Sequence, residues 1–172
     1  VDAAEEVLGR FPDRFRVHYT AGLGAKLGLV TEEEGDSGLA KEFLDWMKTE
    51  KADFTSSFFA LTKLAETGEM EGPLSTGGAS LRLWIEKWRR RAMREQKTAE
   101  EVVAVMRAAN PVVIPRNHRV EEALAAAVSG DFAVMNRLVE VLRTPFAETP
   151  ENEPFRDAPP GSDVPYRTFC GT

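Results

Sequence analysis

Apolar residues recur in this chain at helical spacing and almost nowhere at strand spacing, and that pattern fixes the fold class. Leu39, Phe43, Trp46 and Met47 fall on one side of a period of about 3.6 residues. So do Phe58, Leu61 and Leu64, then Leu81, Trp84, Ile85 and Trp88, then Val102, Val105 and Met106. No short window alternates strictly with turn signals on both sides. Val112-Val113-Ile114 is β-prone but short and flanked by Pro111 and Pro115. The reading is all-α: an irregular multi-helix bundle of roughly seven or eight helices with an extended Pro-rich C-terminal tail.

Local signals place the boundaries. Asp2 suits the cap of a short first helix carrying Ala4, Val7 and Leu8. Pro12 suits the first turn of a second helix, with Phe15, Tyr19 and Leu23 on one face and an end near Leu27, weakened by Gly22, Gly24 and Gly28. Thr31 to Gly38 reads as an acidic turn. Asp53 and Thr55 both fit the cap of a helix carrying Phe58, Phe59 and Leu61. Thr67 to Gly78 holds four Gly and one Pro in twelve residues, which marks the clearest internal loop. A helix then starts near Ser80. Thr98 with Glu101 forms a capping box, and Asn110-Pro111 ends the helix it opens, because the residue before proline is pushed out of the α region. Residues 110–118 read as an extended loop. Two helices follow, one through Val120, Leu124 and Val128, the other capped by Asp131 with an inner stripe of Phe132, Met135, Leu138, Val139 and Leu142. From Pro145 onward six of the ten prolines fall in 28 residues, so the expected division is a helical region, 1–144, and an extended tail, 145–172.

Charge and composition remove several function classes. Lys and Arg number 22 against 28 Asp and Glu, a formal net charge of −6. A general nucleic-acid binder needs a cationic face to displace counterions, so none is expected. No stretch reaches the ~18 consecutive apolar residues of a membrane span, so no membrane partner is expected either. One cysteine excludes an intramolecular disulfide framework and a Cys-based zinc site, and two distant histidines make a His-rich metal site an unattractive reading. The chain opens on Val with no charged-then-apolar leader, which reads as a removed segment or part of a longer chain.

Five features invite chemistry, each beside a plainer reading. Gly22 to Gly28 looks like a phosphate loop, but Leu27 follows Lys26 where a Walker loop needs Ser or Thr, and no strand precedes it; a structural helix end is preferred. Lys87, Arg89, Arg90, Arg91, Arg94 and Lys97 put six cations in eleven residues, read as a solvated face with docking to an acidic partner surface as the alternative. Asn110, Arg116, Asn117 and His118 form a polar group beside an apolar loop. His118 has the right pKa range for a base or switch, but no Ser, Cys or acid adjoins it, so a structural loop lock is preferred, with Asn117 or His118 at the next helix start. His18 reads as a structural histidine. Cys170, the lone thiol, sits third from the end on the tail; a redox or disulfide-exchange role and an idle thiol both stay open.

Longer stretches carry a resemblance. Asn110-Pro-Val-Val-Ile-Pro-Arg-Asn-His118 followed by Val120-Glu121, then Asp131-Phe132, Pro145-Phe146 and the ending Tyr166-Arg-Thr-Phe-Cys-Gly-Thr172, resembles the C-terminal part of the selenoprotein O family (SelO, YdiU in bacteria). Lys26-Leu-Gly-Leu29, Asp53-Phe-Thr with Phe58 and Leu61, and Trp84 with Arg91 match in order and spacing. The resemblance implies a protein-kinase-like pseudokinase that binds ATP in a flipped orientation and transfers AMP to protein hydroxyl side chains with Mg²⁺ or Mn²⁺, with UMP transfer described for bacterial members. The family's nucleotide- and metal-binding motifs lie in the kinase-like core and have no counterpart here. No catalytic, cofactor-binding or metal-binding residue is therefore carried over, and no cofactor is expected on this segment itself. Cys170 stands where relatives carry selenocysteine or cysteine, a position linked in the family to a disulfide with a cysteine of the catalytic part; this chain has no second cysteine.

These expectations make the chain the C-terminal helical region of a kinase-like protein adenylyltransferase of the bacterial cytoplasm. It braces the lobe and carries the redox position. Its partners are the N-terminal kinase-like core of the same polypeptide and the parent's protein substrates. The rival is a free-standing helical protein-binding module with no catalytic activity, docking through the 87–97 face or the 110–118 loop.

Overall fold

The computed structural model describes residues 2–159, with side chains from residue 5 onward. The described residues are all-helical: α1 (Asp2–Lys26), α2 (Asp36–Glu50), α3 (Phe54–Thr67), α4 (Ala79–Ala92), α5 (Ala99–Ala109), α6 (Asn117–Val128) and α7 (Ala133–Leu142), with 3₁₀ turns at Gly72–Leu74 and Glu153–Phe155. No strand forms among them.

The first helix departs from expectation. It runs through Pro12 without a boundary. An interior proline costs about 3 kcal/mol. A break there, however, would forfeit the ring stack Phe11–Phe15–Tyr19, with centroids 6.0 and 5.5 Å apart. It would also require a second helix nucleation. Residues 5–19 are exposed along their whole length, so more than half of α1 projects from the body.

The helix joins the body through its last turn and the four residues Lys26–Leu29. Leu27 is fully buried and Leu29 nearly so. The Leu27 carbonyl accepts the Trp88 indole N–H at 2.8 Å, tying α1 to α4. Lys26 Nζ donates to the carbonyl of Ala109 at 2.8 Å, placing a cation on the negative end of α5. Gly28 has φ 74°, and a Cβ there would lie 2.7 Å from Val102 Cγ1 and 3.0 Å from Met106 Cγ. Only glycine lets α5 approach that closely in that conformation.

The main core gathers α2, α3 and α4 around Phe43, which is fully buried. Its ring stacks on Trp84 at 4.2 Å and meets Phe58 edge-on at 5.3 Å. Trp84 closes its one polar requirement by donating to the Leu39 carbonyl at 2.9 Å. The caps follow the sequence: Asp53 accepts from the Ser56 amide, and Thr98 with Glu101 makes a reciprocal capping box.

The second half is thinner. Val112, Val113 and Val141 form a small separate cluster backed by Phe59, Leu142 and Phe155. The amides of Val112 and Val113 both donate to the Pro145 carbonyl, at 2.7 and 3.2 Å. Residues 145–157 fold back as a strap: buried Asn152 donates to Ala147 O at 2.8 Å, and Arg119 donates to Pro154 O at 2.9 Å. The expected inner stripes of α6 and α7 are only partly inside. Ala123, Leu138 and Val141 are buried, whereas Leu124, Val128, Phe132 and Val139 face solvent. Phe132 occupies the cap position of α7, and Asp131 reaches the Ala133 amide at 2.9 Å instead.

Two glycines, one within α1 and one just after it, separate these constraints. Gly28→Ala is expected to lower stability by about 2–4 kcal/mol, from positive-φ strain plus overpacking. Gly22→Ala meets open space on a helix and is expected to be neutral or to stabilise by up to about 1 kcal/mol. Urea unfolding followed by far-UV circular dichroism reads both.

Candidate functional site

Helix α3 supports two polar locks, one at each end of the 110–116 segment. Toward its C-terminal half, Thr62 is buried, and its hydroxyl donates to the Phe58 carbonyl while accepting from the Asn110 amide at 2.9 Å. The same Asn110 amide nitrogen donates to Lys26 O at 2.9 Å, and its oxygen accepts from Lys26 Nζ at 3.3 Å. One side chain thus joins the end of α1, the middle of α3 and the end of α5. Burial lowers the pKa of Lys26. The ammonium also lies 5.2 Å from the Phe58 ring centroid and 5.5 Å from that of Phe54, so it is enclosed by protein rather than open to a phosphate.

At the other end, Arg116 lies flat against the start of α3. It makes a two-pronged contact to Asp53, at 2.6 and 2.7 Å, and donates to Arg156 O at 3.0 Å. Asp53 also accepts from the Ser56 amide and hydroxyl, at 2.8 and 2.7 Å. Burial pushes the Asp53 pKa up, but the Arg116 and Ser56 hydrogen bonds outweigh it and bring it down to about 2. Beside this pair opens a cleft of about 680 Å³, with Phe59, Ala60, Pro73 and Pro154 as apolar walls and Glu71, Glu153, Arg156 and Asp157 among its charges.

The chemistry open to this cleft is limited. A carboxylate with a pKa near 2 is a poor proton acceptor at neutral pH, so Asp53 cannot activate the Ser56 hydroxyl as a nucleophile. His118, the second residue of α6, is half-buried with no hydrogen-bond partner on Nδ1. Asn117 is exposed as the first residue of that helix, and neither it nor His118 caps it. Asn110 and Arg116 are therefore brought onto α3, while Asn117 and His118 are not. No group of three His, Cys, Asp or Glu among the described residues is placed to hold a metal ion. The Gly22–Gly28 stretch is a helix end with its lysine engaged, so it does not form a phosphate cradle. Cys170 lies outside the described residues.

A third polar lock was misread from the sequence. Arg91, expected on a solvated face, is only 3% exposed. It donates to Asp36 at 2.7 and 3.0 Å and lies 2.9 Å from Glu95 and 3.2 Å from Glu33. Buried Glu95 in turn accepts from the Thr31 hydroxyl at 2.8 Å. Burial raises the pKa values of Asp36 and Glu95, yet hydrogen bonds from Arg91 and from the Glu33 and Thr31 groups prevail and lower both. The signal was present: Trp84, Trp88, Arg91 and Glu95 follow one helical face. Of the six cations, Arg91 belongs to the core.

The chain is similar to known proteins along its length. Residues 1–143 match the family described as Protein adenylyltransferase SelO. It is 48% identical, over 98% of its length, to the protein nucleotidyltransferase YdiU of Geobacillus kaustophilus. It is 45% identical, over its whole length, to that of Anoxybacillus flavithermus, and 46% identical, over 99%, to that of one Cereibacter sphaeroides strain. In each case it covers 34% of the relative, so the chain spans about a third of the length of the curated relatives it matches. Among the described residues no helix is long and apolar enough to cross a membrane.

Removing either arginine strands carboxylates. Arg91→Met is expected to cost about 3–5 kcal/mol, because it leaves buried Glu95 and partly buried Asp36 with only hydroxyl and amide partners in place of a cation. Arg116→Met is expected to cost less, about 2–3 kcal/mol, since Asp53 keeps Ser56 and some water. The Asp53 pKa is depressed in the fold, so its stabilisation is complete above the ordinary aspartate value near 4 and is lost as pH falls toward about 2. The stability gap between the parent chain and Arg116→Met should therefore narrow between about pH 5 and pH 2. Denaturant melts across that range, with no narrowing, would refute the assignment.

Proposed function

This chain belongs to the SelO protein adenylyltransferase family, and from that premise we propose that it is the C-terminal helical region of a SelO-type enzyme. The parent transfers AMP from ATP to hydroxyl side chains of proteins, using Mg²⁺ or Mn²⁺ held by a kinase-like core that these 172 residues do not supply. The role of this region is to brace that core and to carry, at Cys170, a redox-regulatory position. Its compartment is the bacterial cytoplasm.

One observation carries the bracing role. Leu8, Phe11, Phe15 and Tyr19 run along projecting α1 as an apolar, ring-stacked stripe, between 50% and 70% exposed. Large contiguous apolar surface marks a contact face. The relatives have about twice this chain's length to spare, enough for a lobe that covers the stripe.

The test has two arms. Incubated with labelled ATP, Mg²⁺ and a protein acceptor, the chain alone is expected to label neither itself nor the acceptor; clear labelling would sink the reading. Joined in frame to a kinase-like region, the parent is expected to label protein. Phe11→Asp with Phe15→Asp should then lower that labelling at least about tenfold, while leaving the cooperative melting of the α2–α5 core in the isolated chain nearly unchanged, because these rings stack within the exposed part of α1 and are not part of that core. Unchanged labelling by the double variant would remove the bracing role.

A further inference from the structure

Helices α3, α4 and α5 leave a groove of about 390 Å³ between them, remote in sequence from the 110–116 segment. Its floor is apolar: Leu64 and Trp88 are buried, and Ala65, Ala92 and Val102 are half-buried. Met93 stands at its lip, 81% exposed. A thioether so placed is adaptable, as at surfaces that accept varied apolar side chains. The indole N–H of Trp88 is already spent on Leu27 O, so the ring offers this groove only its apolar body.

The charges around it have one sign. The charged residues lining the groove are Arg89 and Lys97, and no carboxylate lines it. Arg89 makes no ion pair among the described residues, and Lys97 has only a distant one, 3.9 Å from Glu101. Of the cations nearby, Arg91 is buried in its own network, Lys87 pairs with Glu42 and Arg94 with Glu33, while Arg90, like Arg89, makes no ion pair among the described residues but does not line this groove. In a chain of net charge −6, a groove that sets two cations and no carboxylate over apolar walls is complementary to an acidic, partly apolar ligand.

We propose that this groove docks a short acidic amphipathic segment of a protein partner. Apolar side chains of the segment enter between Trp88, Met93 and Val102, and its carboxylates reach Arg89 and Lys97. An amphipathic helix laid in a groove is an established way of using such a surface. A guanidinium free of partners presents the two-pronged donor geometry that suits a carboxylate. The proposal does not depend on nucleotide transfer and is read by binding to this chain alone.

The probe is a fluorescein-labelled peptide with leucines at helical i, i+3, i+4 spacing and glutamates elsewhere, followed by fluorescence polarisation. The expected result is saturable binding that weakens at least about tenfold in Arg89→Glu with Lys97→Glu, two exposed positions whose change should leave the far-UV spectrum and melting intact. Binding should weaken similarly in Arg89→Ala, and should weaken as salt is raised. A peptide with serine for leucine and one with lysine for glutamate should both fail to bind. No saturable binding of the leucine–glutamate peptide overturns the proposal. So does equal binding by the charge-reversed chain, equal binding of the serine peptide, or displacement of the bound peptide by dodecanoate at lower concentration, which would make the site a fatty-anion pocket.

Discussion

Everything in the first half of the molecule turns on the four residues that end α1. Three helices meet there, and each contact is of a different kind. The Leu27 backbone takes the Trp88 indole hydrogen, Lys26 neutralises the carbonyl end of α5, and Gly28 lets α5 come within a distance no other residue permits. A buried amide, Asn110, then satisfies Lys26 from the other side and carries the lock on to α3. The superficial likeness of this stretch to a phosphate loop has a physical origin. Close backbone approach and a nearby lysine are what phosphate cradles also need, but here the lysine's partner is the end of a helix.

The three polar locks do a job the apolar core cannot. The stack of Phe43 on Trp84 resists separation of α2 from α4, but dispersion is indifferent to small slides along the helix axes. Arg91, held at once by Asp36, Glu33 and Glu95, fixes the register of α2, the 31–36 turn and α4. Arg116 does the same for the start of α3 and the strap at Arg156. Such buried ion pairs add little net stability against an apolar replacement, and their value lies in specifying one arrangement.

What the sequence makes legible is what local chemistry decides. The capping box at Thr98 and Glu101, the cap at Asp53 and the stop at Asn110-Pro111 are fixed by side-chain-to-backbone bonds within a few residues, and they read directly. Two things resist. Pro12 is a strong local break signal overruled by the helix on either side of it. Burial is not local either. The stripes on α1, α6 and α7 have the same period as those of α2, α3 and α4, and periodicity says which side is apolar without saying whether anything covers it. The Asn110–Thr62 and Arg116–Asp53 contacts span 48 and 63 residues, so the polar character of the 110–118 loop was visible while its partners were not.

The uncovered side of α1 carries a final consequence. An isolated helix of about 12–15 residues is marginal in water even with alanine-rich sequence, because nucleation is costly and only tertiary packing repays it. Residues 5–19 form such a stretch, lack core contacts, and contain a proline as well. The exposed ion pairs along it contribute only a few tenths of a kcal/mol each. Along it, Leu8, Phe11, Phe15 and Tyr19 leave open the apolar area that a covering contact would bury. The cationic groove between α3, α4 and α5 has the opposite character: its floor, Trp88 and Leu64, is itself part of the main core. A helix that needs covering suits a permanent contact, and a preformed groove suits a partner that comes and goes.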